Sequence, residues 1–291
     1  MAETMQTPAV ALTVDLEEWH HGLNRPAGRE QVVADTGWLL DRFAQHDVHA
    51  TFFVLGEVAA THPELVRRIM EAGHEIGFHG ATHRFLAEVG PQAFAKDLEH
   101  WKPRLEELTG QSVRGFRAPF FSITPTTAWA LPLLAEHGFA YDASIYPGRN
   151  DRNGWPGAPT TPVHVVSLNL LLFPVPLLHR WIPVGFSGGA YLRILPWPIV
   201  RWGLHQQQTA GRPGMIYVHP WEVSESLPRV RAKSLRGELK RHTGLTQMRG
   251  RVTALLTAEA ARLSTMGAVL ASMPNAPPWE PGDSPRSAPE P

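Results

Sequence analysis

Residues 75–83 read EIGFHGATH and join a short apolar run to two histidines four positions apart. The run 75–78 predicts a buried strand, because it follows the helix stop at Ala72-Gly73. His79 and His83 fall on one face of a turn, close enough to bind one divalent metal ion. Since α/β enzymes keep their chemistry at the carboxyl ends of strands, this stretch predicts both the fold class and the place of the site.

The composition excludes several kinds of protein. With 291 residues, 43% of them hydrophobic, the chain can bury a full core as one large domain or two small ones. The 27 Lys and Arg residues balance 27 Asp and Glu residues, so we expect no nucleic-acid partner. The chain has no cysteine, and a metal ion must therefore be bound by histidine and carboxylate side chains.

Two stretches bear on localisation. Residues 1–7 lack a basic segment followed by an apolar core, so we expect no signal peptide and a cytoplasmic location. The most apolar run, residues 168–178, contains Pro174 and Pro176 and is shorter than the about 20 residues that a membrane span needs. We therefore expect no transmembrane segment.

Strand and helix patterns alternate over the first half of the chain. Apolar runs predict strands, and segments with helical spacing lie between them. This alternation predicts a parallel sheet with crossover helices, and the chain length favours a barrel over an open sheet. The predicted strands are 8–14, 50–55, 75–78, 113–116 and 139–142, and the predicted helices are 30–45, 63–72, 91–108 and 124–137.

The second half is less regular. Residues 146–202 are rich in proline and glycine and predict a long binding loop or lid. A strand at 215–218 and a helix over 247–264 follow. We assign residues 8–272 to one domain that includes a C-terminal extension, and the proline-rich residues 273–291 to a disordered tail.

Ionisable side chains follow most of the predicted strands. Three carboxylates crowd together after the first strand, where they would repel one another unless a positive charge such as a metal ion lies among them. A solvated acidic loop is the alternative interpretation. Because the carboxyl ends of barrel strands share one face, we expect the candidate residues to lie together there. They are Asp15, Glu17, Glu18, His79, His83, Arg117, Asp142 and His219.

This order of residues resembles the polysaccharide deacetylase family, which has the NodB-homology or carbohydrate esterase family 4 fold. The family has five motifs: an acidic pair, an H-x-x-x-H pair, an R-x-P segment, an Asp motif and a late histidine. All five have counterparts between Val10 and Glu222. Within the family the chain resembles the branch associated with exopolysaccharide and exosortase gene clusters, through VDLEE at 14–18, GFRAP at 115–119, DASIYP at 142–147, the run 183–192 and YVHPWE at 217–222. The resemblance implies a distorted (β/α) barrel.

Amide hydrolysis suggests roles for some of these residues. A divalent ion held by two histidines and one carboxylate lowers the pKa of water toward 7, so we expect one such ion at His79, His83 and a glutamate. Asp15 is the candidate general base and His219 the candidate general acid.

The resemblance implies three further roles. The backbone N–H of Phe120 would stabilise the oxyanion. Arg117 would orient Asp15, and Asp142 would pair with His219 and raise its pKa. The alternative for Asp142 is a cap on the following turn, because Asp-Ala-Ser is good cap chemistry.

One departure from the family concerns the carboxylate ligand. The family motif has two adjacent aspartates, whereas residues 15–18 here are DLEE. Alternate residues of an extended chain point the same way, so Glu17 shares a face with Asp15 and is favoured as the ligand, with Glu18 as the alternative. The longer arm leaves Co, Mn and Ni open beside Zn, the family's usual metal.

We therefore expect a metal-dependent hydrolase that removes N-acetyl groups from N-acetylhexosamine units of a bacterial polysaccharide or its precursor. One alternative is a hydrolase of a small non-sugar amide such as a cyclic ureide, since related barrels use the same site. A second is a non-catalytic carbohydrate-binding protein. The complete set of base, ligands and acid argues against this second alternative.

Overall fold

The computed structural model describes residues 9–21, 31–148, 153–179, 182–227 and 242–283. Two sheets occur in these residues, a large curled sheet and a small one made of β8 and β9. The strands are β1 (Val10–Leu16), β2 (Thr51–Val54), β3 (Glu75–Phe78), β4 (Gly115–Phe116), β5 (Tyr141–Asp142), β6 (Val163–Val165), β7 (Leu170–Leu172), β8 (Leu177–His179), β9 (Ile182–Gly185), β10 (Gly214–Val218) and β11 (Leu263–Ser264).

The large sheet has the order β10-β1-β2-β3-β4-β5-β7-β6, and β11 pairs with the start of β1. Every pair is parallel except β6 with β7. Within the described ranges, β10 and β6 each pair with a single strand, so the sheet forms a half-barrel. The α/β class and the distorted barrel are confirmed.

The helices lie between the strands, as the alternation predicts. Proline occupies the first turn of α3 and of α5, where a missing N–H costs nothing. Gly110 ends α5 in a left-handed conformation (φ 67°). The helices are α1 (Val32–Gln45), α2 (Gly56–Thr61), α3 (Pro63–Glu71), α4 (Leu86–Val89), α5 (Pro91–Thr109), α6 (Ala130–Glu136), α7 (Gly189–Ile194), α8 (Trp197–Thr209), α9 (Leu245–Glu259) and α10 (Met266–Ala271).

Three predicted elements differ from the structure. The helix expected from residue 124 begins only at Ala130, because the Thr127 hydroxyl accepts from the Thr124 N–H and donates to the Ser122 carbonyl, which makes a turn. The irregular segment 146–202 contains β6 to β9, α7 and the first part of α8. The helix expected over 247–264 ends at Glu259, and the chain then forms β11 beside β1.

The core explains why β1 is central. Every residue of β1 is buried, since β2, β10 and β11 pair with it and helices cover the sheet.

The segment expected to be a disordered tail is ordered as far as Asp283. The backbone N–H of Trp279 donates to the His164 carbonyl, and the Trp279 ring packs on Trp155. Residues 1–7 and 284–291 lie outside the described residues. In the ranges that the structure describes, no helix has the length and apolar character needed to cross a bilayer.

Candidate active site

Glu17, His79 and His83, which the sequence predicts to be metal ligands, lie together in a cluster that could hold a metal ion. Glu17 follows β1, and His79 follows β3, so the parallel register brings both to one edge of the sheet. Gly80 has φ 93°, a conformation that suits glycine and turns the chain so that His83 points back toward His79. One ligand atom from each residue lies within 4.8 Å of the others, and all three residues are buried.

The hydrogen bonding of His79 suits a metal ion. Its Nδ1 lies 2.7 Å from the carbonyl oxygen of Arg117, which only accepts, so Nδ1 carries the proton. Nε2 therefore presents a lone pair, and it is buried without a hydrogen-bond partner among the described residues. Burial lowers the pKa of His79 to about 4 and keeps the ring neutral. A neutral imidazole oriented by a backbone carbonyl is a typical metal ligand.

Glu17, and not Glu18, faces the two histidines. Glu17 Oε2 lies 2.6 Å from His83 Nε2. Burial alone would raise the pKa of Glu17, but His83 and His219 more than offset it and hold the pKa well below its usual value. Glu18 Oε1 instead accepts from the backbone N–H groups of Gln31 (2.5 Å) and Val32 (2.6 Å) at the start of α1. The geometry therefore favours Glu17 as the carboxylate ligand.

Arg117 and Asp15 form a fully buried ion pair beside this cluster. Arg117 Nη1 donates to Asp15 Oδ1 (2.6 Å) and to Thr13 Oγ1 (2.8 Å), and Asp15 and Thr13 share one face of β1. Burial raises the pKa of Asp15, but the Arg117 guanidinium and the nearby protonated His219 outweigh it and lower the pKa. Asp15 is thus held as a carboxylate.

His219 lies across from these carboxylates, at the end of β10. Its Nε2 is 3.8 Å from Asp15 Oδ2 and 3.8 Å from Glu17 Oε1. Its Nδ1 lies 2.9 Å from Glu222 Oε2. Burial favours the neutral ring, but Glu222, Glu17 and Asp15 together overcome it and raise the pKa of His219 to about 9. Near neutral pH the His219 ring is therefore an imidazolium, with a proton on both nitrogens.

The structure contradicts the expected pairing of Asp142 with His219. Asp142 accepts from the Ser144 N–H (3.0 Å) and from the Ser144 hydroxyl, which is the capping alternative. Burial raises its pKa to about 7. Glu222 takes the place beside His219, and Arg193 Nε donates to Glu222 Oε1 (2.7 Å) in a second buried ion pair. Sequence reasoning missed Glu222, although its position three residues after a strand-end histidine was the available signal.

Phe120 lies on a strained turn beside the pocket. Phe120 and Phe121 both have left-handed backbones (φ 59° and 53°), which non-glycine residues rarely adopt. The Phe120 ring stacks on Phe85 at 4.2 Å and meets the His83 ring edge-on at 4.2 Å. Asn153 Nδ2 donates to the Phe120 carbonyl (2.6 Å) from the irregular segment. Sequence reasoning also missed Asn153.

Several of the residues described above line one pocket of about 450 Å³. Asp15, Glu17, His83 and His219 form its polar end. Much of the remaining wall is aromatic, as expected for a site that binds flat apolar faces. This part of the wall includes Phe85, Phe120, Phe121, Tyr146, Tyr191, Tyr217 and Trp221.

Comparison with known protein families identifies the first half of the chain. A family model described as polysaccharide deacetylase matches residues 3–141. The chain carries a polysaccharide deacetylase domain. A second family model, described as a domain of unknown function (DUF3473), matches residues 143–271. The deacetylase domain contributes Asp15, Glu17 and His83 to the pocket, and the second segment contributes His219.

Similar proteins agree with this assignment. The deacetylase domain is 38% identical over 85 residues to the peptidoglycan-N-acetylglucosamine deacetylase of Bacillus cereus, which covers 29% of this chain and 31% of that protein. The first curated relatives are matched over 31–42% of their own length.

Two solved structures share the fold over nearly the whole chain. A candidate polysaccharide deacetylase from Mycobacterium smegmatis has a TM-score of 0.63 at 22% identity and covers 100% of this chain and 97% of its own. An allantoinase has a TM-score of 0.61 at 16% identity, with 95% and 93% covered. At these identities the likeness shows the fold alone.

Proposed function

We propose that this protein is a metal-dependent deacetylase that removes N-acetyl groups from N-acetylhexosamine units of a bacterial polysaccharide or its precursor. The observation that carries the proposal is the polar end of the pocket. There a buried cluster of Glu17, His79 and His83 adjoins the Asp15 carboxylate and the protonated imidazole of His219, whose Nε2 lies 3.8 Å from Asp15 Oδ2. Non-catalytic binding of a sugar has no need of this acid and base pair.

The reaction is the addition of water to an amide, which gives acetate and a free amine. Asp15 accepts a proton from the attacking water, and the Arg117 guanidinium keeps it ionised and oriented for this role. His219 donates its Nε2 proton to the amine nitrogen as the C–N bond breaks. Glu222 holds the opposite ring nitrogen and so keeps Nε2 directed at the site.

The acyl oxygen gains negative charge as the water adds. The backbone N–H of Phe120 donates to this oxygen, and the left-handed turn fixes the direction of that N–H. Glu17, His79 and His83 would hold a divalent ion, which would act as a Lewis acid and lower the pKa of water there. Zinc is the ion that we expect, and cobalt, manganese and nickel also suit two imidazoles and one carboxylate.

The substrate proposal rests on the family and on the aromatic wall. The matched relative from Bacillus cereus is named for N-acetylglucosamine in peptidoglycan. Aromatic rings such as Tyr191 and Trp221 line the pocket, and their apolar faces suit the faces of sugar rings.

The test is acetate release from N-acetylglucosamine oligomers of graded length, with protein stripped of metal and reloaded with Zn²⁺, Co²⁺, Mn²⁺ or Ni²⁺. We expect metal-dependent release, which Asp15→Asn lowers by about 10²–10⁴-fold and His79→Ala abolishes. Asp41→Asn and His205→Ala are matched controls, because both residues are exposed and lie outside the pocket.

Three results would contradict parts of this proposal. Release that is independent of metal would exclude the cluster as the catalytic centre. Release from small cyclic amides but from no sugar would support the smaller substrate. Metal binding without hydrolysis of any of these amides would favour a carbohydrate-binding protein.

A further inference from the structure

Trp221 lies between the catalytic histidine and a buried arginine. Its ring stacks on the His219 ring with centroids 5.4 Å apart and planes 24° apart. The Arg193 guanidinium carbon lies 5.3 Å from the Trp221 ring centroid. Contacts with both rigid neighbours leave the indole little freedom to rotate, so the direction of its N–H is fixed.

That N–H is directed at the proposed carboxylate ligand. Trp221 Nε1 donates to Glu17 Oε1 at 2.9 Å. The other carboxylate oxygen, Oε2, faces His83 Nε2 at 2.6 Å and has no hydrogen bond of good geometry among the described residues. One oxygen of Glu17 is therefore taken by the indole, and the other is directed toward the histidines.

A glutamate ligand has particular need of such a donor. Its side chain has one more rotatable bond than aspartate, so more conformational freedom is lost when the carboxylate is fixed in one geometry. Hydrogen bonds to the ligands of a metal ion orient them, and their loss typically weakens metal affinity by about 10–100-fold. The indole N–H is in the position to supply this hydrogen bond to Glu17.

We propose that Trp221 is a positioning residue that presents Oε2 of Glu17 to the metal ion and so strengthens metal binding. The inference rests on the proposed function only in requiring that Glu17, His79 and His83 hold a divalent ion. It also gives residues 143–271, which a model of a domain of unknown function matches, a part in metal binding through Trp221.

The test measures Co²⁺ affinity of the full chain after metal removal, by titration calorimetry and by the visible absorption of bound Co²⁺. Trp221→Phe keeps an aromatic ring beside His219 but removes the pyrrole part of the indole with its N–H, so the loss of packing must be separated from the loss of the hydrogen bond. We expect Trp221→Phe to bind Co²⁺ about 10–100-fold more weakly, with an altered absorption spectrum. Trp202→Phe is the matched control, since Trp202 is 42% exposed and lies on α8 outside the pocket.

A double-mutant cycle separates positioning from general damage to the fold. If Trp221 acts through the Glu17 carboxylate, Trp221→Phe costs much less affinity in a Glu17→Gln background than in the wild type. A loss of equal size in both backgrounds overturns the inference. Unchanged Co²⁺ affinity in Trp221→Phe also overturns it and leaves the proposed function standing. A wild-type protein that binds no Co²⁺ or Zn²⁺ overturns both.

Discussion

Asp15 Oδ2 and His219 Nε2 lie 3.8 Å apart, and the charged side chains around them stabilise Asp15 as a carboxylate and His219 as an imidazolium. Arg117 is the main neighbour that lowers the pKa of Asp15, and Glu222 is the main one that raises the pKa of His219. Near neutral pH the pair is therefore a carboxylate beside an imidazolium. This is the charge arrangement that a hydrolase needs before the reaction, with one group ready to accept a proton and the other ready to donate one.

The first prediction tests the partner of His219. Glu222→Gln keeps the shape of the side chain but replaces the charge that faces His219 Nδ1. We expect the rate of deacetylation, kcat, to fall by about 10²-fold or more, because the ring loses the charge that stabilises its protonated form. The measurement is steady-state kinetics on an acetylated oligosaccharide. Thermal unfolding checks that the protein remains folded although the buried Arg193 has lost its charged partner Glu222.

Asp142→Asn is the control for this prediction. The carboxylate of Asp142 binds Ser144 and has no contact with His219 within the described part of the chain, so we expect a kcat within a few-fold of wild type. If Asp142→Asn were the damaging change and Glu222→Gln the mild one, the pairing implied by the family resemblance would be right for this protein.

The second prediction concerns stability and pH. The pKa of Asp142 rises from 3.8 to about 7 on folding, so between these values the folded protein holds a proton that the unfolded chain releases. Stability from this group is fully present below about pH 4 and is lost as the pH rises through 7. We expect wild type to lose about 2–3 kcal/mol relative to Asp142→Asn between pH 5 and pH 8, measured by urea unfolding in chelator. A difference that stays constant with pH would contradict this assignment.

Single residues differ in how well they could be predicted from sequence. Asp15, His79 and His219 end strands, and the carboxyl ends of parallel strands must meet at one edge, so their proximity follows from the strand pattern. The choice between Asp142 and Glu222 depends on side-chain direction in short loops. Asp142 turns back on Ser144, two residues away, and strand patterns carry no information about that turn.

At the scale of elements, the turn at Phe120 and Phe121 stores strain that other residues must hold. Left-handed backbones of this kind cost about 1–3 kcal/mol each and persist only where the surroundings enforce them. Stacking on Phe85 and the hydrogen bond from Asn153 hold Phe120, and Phe121 packs on the edge of Tyr217 at 4.9 Å. The turn thus depends on contacts from both matched segments.

The third prediction removes one of these contacts. In Asn153→Ala the Phe120 carbonyl loses its donor, so the turn relaxes and its N–H is aimed less well at the reacting acyl oxygen. We expect kcat to fall by about 10-fold or more with little change in KM, since the donor matters most in the transition state. Asn169→Gly serves as a control, because Asn169, like Phe120, has a left-handed backbone but lies outside the pocket. An unchanged kcat in Asn153→Ala would exclude this role.

Helices and strands could be predicted where residues within the segment itself mark its start or end. Proline at the first turn marks α3 and α5, and glycine marks the end of α5. The start of α6 was misplaced because the hydroxyl of Thr127 builds a turn that competes with the helix. The two-residue strand β11 was missed because so short a strand has no period and is defined only by its pairing with Val10 and Ala11.

At the scale of the whole molecule, the two matched segments share one sheet. The family models divide near residue 142, yet β1 of the first segment pairs with β10 and β11 of the second. The register with β10 runs over five residues, from Val10 opposite Gly214 to Val14 opposite Val218. The two segments that the family models match therefore share one hydrophobic core.

The last prediction follows from this shared sheet. A chain ending at residue 141 leaves one edge of β1 without the hydrogen bonds of β10 and uncovers its buried side chains, at a cost that exceeds the usual net stability of a domain. We expect that chain to bind a hydrophobic dye and to show no cooperative unfolding by circular dichroism. A chain ending at residue 271 keeps every sheet strand and loses the contact of Trp279 with Trp155, so we expect cooperative unfolding with a loss of about 1–3 kcal/mol. Cooperative folding of the 141-residue chain would mean that the deacetylase domain has a core of its own, and that the segment bearing His219 is added to a finished fold.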